Sequence, residues 1–151
     1  MLQTNSNNSV EPLAISKLYH QALLRHHKKP IGFDVTLSGK QVRSADGENP
    51  ECGDEITVNA KLESGAISNI VFSGESCAIC RASASMMCEK LVSMTTKQAL
   101  AVINDVEQSF NEQKLFEGNL SPLNSVFSLP IRQQCALLPW RTAVQVLEAG
   151  G

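Results

Sequence analysis

The run of residues 56–73 leaves this chain few folding options. Ile56, Val58, Ala60 and Leu62 alternate with Thr57, Asn59 and Lys61, the period of two that gives a strand one buried and one solvated face. Glu63-Ser64-Gly65 then supplies turn formers, and residues 66–73 return with Ile67, Ile70, Val71 and Phe72, so the segment predicts an antiparallel hairpin and not a βαβ unit. A hairpin brings the residue before its first strand and the residue after its second to the same end of the sheet. Here those flanks are Cys52-Gly53-Asp54 and Cys77.

Around this hairpin the chain reads as mostly helical. Residues 1–10, rich in Asn and Ser, predict a loose N-terminal tail. From Pro12, the residues Ile15, Leu18, Tyr19, Ala22, Leu23 and His26 recur at three-and-four spacing, one apolar stripe on a helix ended by Pro30 and Gly32. Its last turn, His26-His27-Lys28-Lys29, complements the helix dipole, a simpler reading than a histidine metal site. Residues 33–37 and 40–43 are weak strand candidates around Ser38-Gly39, and Asp46-Gly47-Glu48-Asn49-Pro50 predicts a loop. After Cys77 a helix is predicted over about residues 78–93, with small residues Ala82, Ser83, Ala84 and Ser85 early and Met86, Met87 and Leu91 later. Thr95 or Thr96 is placed to cap the next helix, whose core face is Ala99, Leu100, Val102, Ile103 and Val106. Residues 111–128 carry breakers at Gly118, Pro122 and Asn124 and fit no single element. A last apolar helix follows Pro130, with Pro139 predicting a kink or a nearby start, because it removes the N–H that would bond the Cys135 carbonyl.

At 151 residues one domain spanning 1–151 is expected. Thirteen Lys and Arg against fifteen Asp and Glu give a net charge of -2, which argues against nucleic acid as a partner. Mean hydropathy is -0.09, and no apolar run approaches the ~18 residues of a membrane span. With no secretory signal pattern at the start, five cysteines predict a reducing cytoplasm and metal or catalytic chemistry in place of disulfides.

Cys77 falls where a strand meets a helix N-terminus, a setting that favours the thiolate. One candidate partner is Cys80, giving a C-x-x-C dithiol of the kind used in redox sites. The other is the distant set of Cys52, Asp54 and Cys135. Cys52 and Asp54 flank a glycine whose backbone can bend aside, letting both side chains converge on one ion. By itself this motif is more simply an incidental loop cysteine; Cys77 as topological neighbour strengthens it. Cys135, otherwise a buried structural thiol, would complete three thiolates and one carboxylate. That set suits zinc, and it can also hold iron or an iron–sulfur cluster transiently. Arg132, three residues earlier, is placed to stabilise a thiolate or contact a partner. Cys88 reads as inert. The three histidines all lie on the first helix, outside the proposed site.

Asn49-Pro50-Glu51-Cys52-Gly53-Asp54, then Gly74-Glu75-Ser76-Cys77 running into Ala82-Ser83-Ala84-Ser85-Met86-Met87, then Arg132 and Cys135 ahead of Trp140, resemble the NifU/IscU family of iron–sulfur assembly proteins, in particular its SufU branch. Leu18-Tyr19 through Lys29-Pro30 resembles that family's first helix. Gln134, in place of a ligand histidine, and the long separation of Cys77 from Cys135 favour the SufU branch over classic IscU scaffolds. The resemblance implies an α+β fold, the SufE/NifU (IscU-like) fold, with a small antiparallel sheet of about three strands packed against several helices. It implies Zn2+ held by Cys52, Asp54, Cys77 and Cys135, with Cys52 accepting persulfide sulfur from a SufS-type cysteine desulfurase after a ligand exchange frees it. The same residues would bind a transient 2Fe–2S cluster in a scaffold role. A sulfur carrier of sulfurtransferase type, monomeric or weakly dimeric, passing sulfur to downstream SUF scaffold proteins, is what the branch implies. Departures are Cys80 where the branch usually has serine, Gln134 where it often has lysine, and Pro139. A Cys77–Cys80 dithiol oxidoreductase and a non-catalytic zinc module are the competing readings.

Overall fold

The structure, a computed structural model, describes residues 17–149; the expected N-terminal tail and Ile15 lie outside them. The element order is α1 (residues 17–28), β1 (Val42–Asn49), β2 (Asp54–Glu63), β3 (Ala66–Glu75), α2 (Ala78–Leu91), α3 (Thr96–Glu112), 3-10 segments Gly118–Ser128 and Pro130–Arg132, and α4 (Gln133–Glu148). The strands form one antiparallel sheet in the order β1-β2-β3, giving the α+β architecture expected. In β2, Ile56, Val58 and Ala60 are buried while the residues between them are more exposed, as the alternation requires.

Of the segment 46–50 only Pro50 lies in a loop. Strand β1 continues to Asn49, pairing Asp46 with Thr57, Gly47 with Ile56 and Asn49 with Asp54. Thr57 Oγ1 donates to Asp46 Oδ1 at 2.7 Å, so a residue read as a turn former serves a cross-strand bond. Gly47 is there for clearance: a Cβ at this position would collide with Thr142 Oγ1 and lie 3.1 Å from Leu138 Cδ1. Helix α4 therefore rests on bare backbone of β1. Of the two weak strand candidates, residues 33–37 contribute only a bridge from Phe33 to Phe72.

Helix α4 is the centre of the packing, lying against α2, α3, β1 and β2. It starts at Gln133 and continues through Pro139, so the helix does not begin at the proline. Pro139 is itself buried, and the surrounding contacts hold the helix together despite the missing N–H. Small residues on α2 leave room on both sides, with Ser83 against α4 and Ser85 against His26. Ala82, Ser83, Ala84 and Ser85 are all buried, and Ser83 Oγ donates to the Ala136 carbonyl at 2.6 Å while accepting from Trp140 Nε1 at 2.9 Å.

Thr95 caps α3 in a capping box with Gln98. Of the core face expected there, Ala99, Ile103 and Val106 are buried, with Phe110 extending it, while Leu100 and Val102 are partly exposed. Helix α2 closes at Leu91, slightly before the expected end. Residues 111–128 split as their breakers suggest: α3 ends at Glu112, and Asn124 bonds the N–H and carbonyl of Phe116 at 2.7 and 3.0 Å. Phe110, Phe116 and Phe127 pack together, their centroids 5.1 to 5.8 Å apart. On α1 the stripe is narrower than expected. Leu23 is buried and Leu18 is 62% exposed, because α1 meets the body mainly through Leu23 and through His26, whose Nδ1 lies 2.7 Å from Ser85 Oγ.

Gly47→Ala should destabilise the protein by about 2 kcal/mol in urea unfolding, by overpacking at Thr142. Adding Thr142→Ala should recover part of that loss. Additive costs in the double variant would show that this contact does not set the spacing.

Candidate metal centre

Three chain reversals meet at one end of the sheet. The first is the loop at residues 50–53 joining β1 to β2, where the Cys52 N–H donates to the Asn49 carbonyl at 3.1 Å and the Gly53 N–H to the Pro50 carbonyl at 3.3 Å. Proline at the second turn position suits this reversal. Gly53, at φ +72, takes the left-handed conformation that lets Cys52 and Asp54 face inward together. The second reversal runs from β3 into α2, with Cys77 as N-cap. The third leads through Pro130–Arg132 into the first turn of α4, which carries Cys135.

Ligand atoms of Cys52, Asp54 and Cys135 all lie within 4.8 Å of one another. Asp54 and Cys135 are fully buried and Cys52 half-buried. The Cys77 sulfur is outside that group and caps α2, accepting from the Cys80 N–H at 3.4 Å. Its backbone N–H donates to Asp54 Oδ1 at 2.7 Å. Cys77 thus orients the carboxylate, with its own sulfur at the edge of the cluster. Asn49, which was read only as a turn former, reaches in from β1 and donates from Nδ2 to Cys135 Sγ at 3.5 Å. Its side-chain role had no sequence signal beyond its proximity to Cys52.

The electrostatics of this arrangement call for a cation. Burial pushes the Cys135 thiol well above its usual range, helped by the neighbouring Cys52, Asp54 and Cys77. Asp54 Oδ2 is buried without a hydrogen-bond partner among the described residues, a desolvation cost of about 1–3 kcal/mol if nothing offsets it. Two sulfurs and an unpartnered carboxylate oxygen within reach of one point are donors that fit zinc, with Cys77 beside them as a further sulfur. A dication would turn the charge balance round and deprotonate the thiols. Arg132 is exposed at the rim, and hydrogen bonding with Cys135, then the charges of Cys77 and Cys52, raise its pKa.

Cys80 has a different environment. It is fully buried, and burial first, then the charges of Asp54 and Cys77, hold its thiol protonated far above the ordinary range. That is a poor setting for half of a redox dithiol, which needs an accessible thiolate. Cys88 is a core thiol raised by burial to about 12. Gln134 is exposed and accepts from Arg141 Nη1 at 2.6 Å, while Arg141 also pairs with Glu107; Gln134 lines a shallow pocket with Asn49, Pro50 and Glu51.

The sequence pattern of the NifU-like N terminal domain matches residues 18–120 of this chain. The chain is 31% identical over 106 residues to the iron–sulfur cluster assembly scaffold protein IscU of Thermotoga maritima, covering 68% of this chain and 75% of that protein. It is 31% identical over 131 residues to the zinc-dependent sulfurtransferase SufU of Bacillus subtilis, covering 84% of this chain and 87% of that one. Among solved structures, one described as a candidate iron–sulfur cluster assembly scaffold protein for the SUF system of Fervidobacterium islandicum superposes with a TM-score of 0.70. It is 30% identical, over 84% of this chain and 94% of that one. Among the described residues no helix is long and apolar enough to cross a membrane.

With native protein and a thiol-reactive disulfide reagent, Cys52 should react within the fast phase and Cys80 only on unfolding. Fast modification of Cys80, read by peptide mass spectrometry, would overturn its assignment as a buried inert thiol.

Proposed function

Because the chain belongs to the NifU-like N-terminal domain family, we propose that it serves iron–sulfur cluster assembly as a zinc-dependent sulfur carrier, with Cys52 as acceptor. The observation that supports this most is the convergence of Cys52, buried Asp54 and Cys135 on one point, with an Asp54 oxygen left unpartnered. Zinc held by Cys52, Asp54, Cys77 and Cys135 would keep these thiols deprotonated at neutral pH. The sulfur donor is a persulfide on a SufS-type cysteine desulfurase in the cytoplasm, and the recipients are SUF scaffold proteins.

The transfer itself is a thiol–persulfide exchange. The Cys52 thiolate attacks the outer sulfur of the desulfurase persulfide, a new sulfur–sulfur bond forms at Cys52, and the donor's own sulfur–sulfur bond breaks. The donor cysteine departs as a thiolate with the bond's electron pair, so no external oxidant or reductant is consumed. Cys52 suits this role because it lies half-exposed on a turn, whereas Cys135 is fully buried. Asp54 is held by the Cys77 N–H, so the carboxylate keeps its place while Cys52 reacts. Arg132 at the rim supplies positive charge that attracts the incoming persulfide anion or the partner's surface.

A second reading is favoured by the scaffold named in Thermotoga maritima: the same donors would hold a 2Fe–2S cluster as cargo. A chain isolated without zinc that reconstitutes a stable cluster and passes it to an apo-acceptor would select that role.

Protein purified without added metal should contain nearly one zinc per chain by elemental analysis, and a Cys77→Ser/Cys135→Ser variant should lose it. Retention of zinc in that variant would remove the proposed ligand set. After incubation with a SufS-type desulfurase and cysteine, peptide mass spectrometry should find the added sulfur on Cys52. Cys52→Ser should abolish it and Cys80→Ser leave it unchanged; sulfur on Cys80 in the wild type would reverse the assignment.

A further inference from the structure

We propose that Asn49 is a positioning residue that fixes Cys135 as the retained sulfur of the cluster and thereby leaves Cys52 as the sulfur that reacts. This rests on the sulfur-carrier reading above and adds what selects between two thiols lying side by side.

Asn49 touches three parts of the site at once. It is the last residue of β1 and sits opposite Asp54 in the ladder. Its carbonyl accepts the Cys52 N–H at 3.1 Å, and its side-chain amide donates to Cys135 Sγ at 3.5 Å. Alternation along β1 puts Ala45, Gly47 and Asn49 on the half-buried face while Ser44, Asp46 and Glu48 are exposed. Gly47 on that face meets Thr142 and Leu138 of α4, and Asn49, two residues on, meets the same helix at Cys135. Pro50 restricts the backbone of the residue before it to extended conformations, which keeps Asn49 in the strand and its amide aimed at the sulfur.

The two thiols are consequently unlike. Cys135 is fully buried and accepts an amide N–H; Cys52 is half-exposed, and its hydrogen bond to Asn49 is made through the backbone and leaves the sulfur free of an amide donor. An N–H donated to a thiolate draws charge from the sulfur lone pairs, which weakens it as a nucleophile and restrains its position. A purely structural turn role for Asn49 accounts for its carbonyl bond to Cys52 but gives the amide no reason to face Cys135.

The test uses the full chain loaded with one equivalent of zinc and exposed to iodoacetamide, with labelling rates at each cysteine followed by peptide mass spectrometry. In the wild type, Cys52 should be alkylated at least about tenfold faster than Cys135, the scale of one charge-assisted hydrogen bond. Asn49→Ala and Asn49→Leu should each reduce that ratio by about tenfold, chiefly through faster labelling of Cys135. Labelling of Cys88 should stay slow, showing that the core has not opened. Asn49→Leu keeps a similar size and removes the donor without adding a charge or a ligand oxygen, so it carries the test if the alanine variant does not fold. In cobalt(II)-substituted protein the sulfur-to-metal charge-transfer band should shift in both variants. Cys135 reacting as fast as Cys52 in the zinc-loaded wild type would overturn the inference. So would an unchanged ratio and cobalt spectrum in the variants while zinc binds at wild-type stoichiometry, and in that case the sulfur-carrier reading stands. A wild-type chain that binds neither zinc nor cobalt overturns both together.

Discussion

The bond from the Trp140 indole to Ser83, continued from the Ser83 hydroxyl to the Ala136 carbonyl, joins the two helices on which the site depends. Each bond contributes only about 1 kcal/mol net. Their effect is larger because both are fully buried and fix the rotation of α4 about its own axis. Cys135 sits one residue before Ala136, so the register that satisfies Trp140 also aims Cys135 at Cys52 and Asp54. The small side chain of Ser83 permits this closeness, and Gly47 permits the same on the sheet side. A bulkier residue at either of these places would lift α4 and withdraw one corner of the cluster.

The cluster itself is a balance of burial against charge. Fully burying Asp54 beside thiols is unfavourable unless something positive or hydrogen-bonding compensates. The protein supplies part of that through the Cys77 N–H on one carboxylate oxygen and leaves the other without a donor. Burial and neighbouring negative charge also hold Cys135 protonated. These features fit a site completed by a cation, and they assign different duties to chemically identical side chains. Cys52 is accessible, Cys135 is capped by Asn49, Cys77 caps a helix, and Cys80 and Cys88 are core thiols. Five cysteines of one composition become distinct through their surroundings alone.

Much of this was legible beforehand where pattern and chemistry coincide. The alternation of Ile56, Val58 and Ala60 specified the strand, the hairpin brought Cys52 and Asp54 near Cys77, and Thr95 announced its helix. The strand at Asp46 through Asn49 was not legible, because Asp, Gly and Asn are turn formers locally and only the ladder with β2 makes them otherwise. Pro139 sits inside α4 for a similar reason. Its local cost to a helix is real, but the apolar contacts around a buried α4 outweigh it. Leu18 was read as core from periodicity, and no packed neighbour covers it among the described residues.

The sequence by itself determined the β2–β3 hairpin, the helices that flank it, the family and the candidate residues for a metal, because periodicity and residue chemistry are local properties. Tertiary structure alone decided which sulfurs converge with Asp54, that Cys80 is sealed in the core, and that Asn49 faces Cys135. Those outcomes depend on burial, rotation and ångström-scale distances between segments far apart in the chain, set by how α4 packs on α2 and β1.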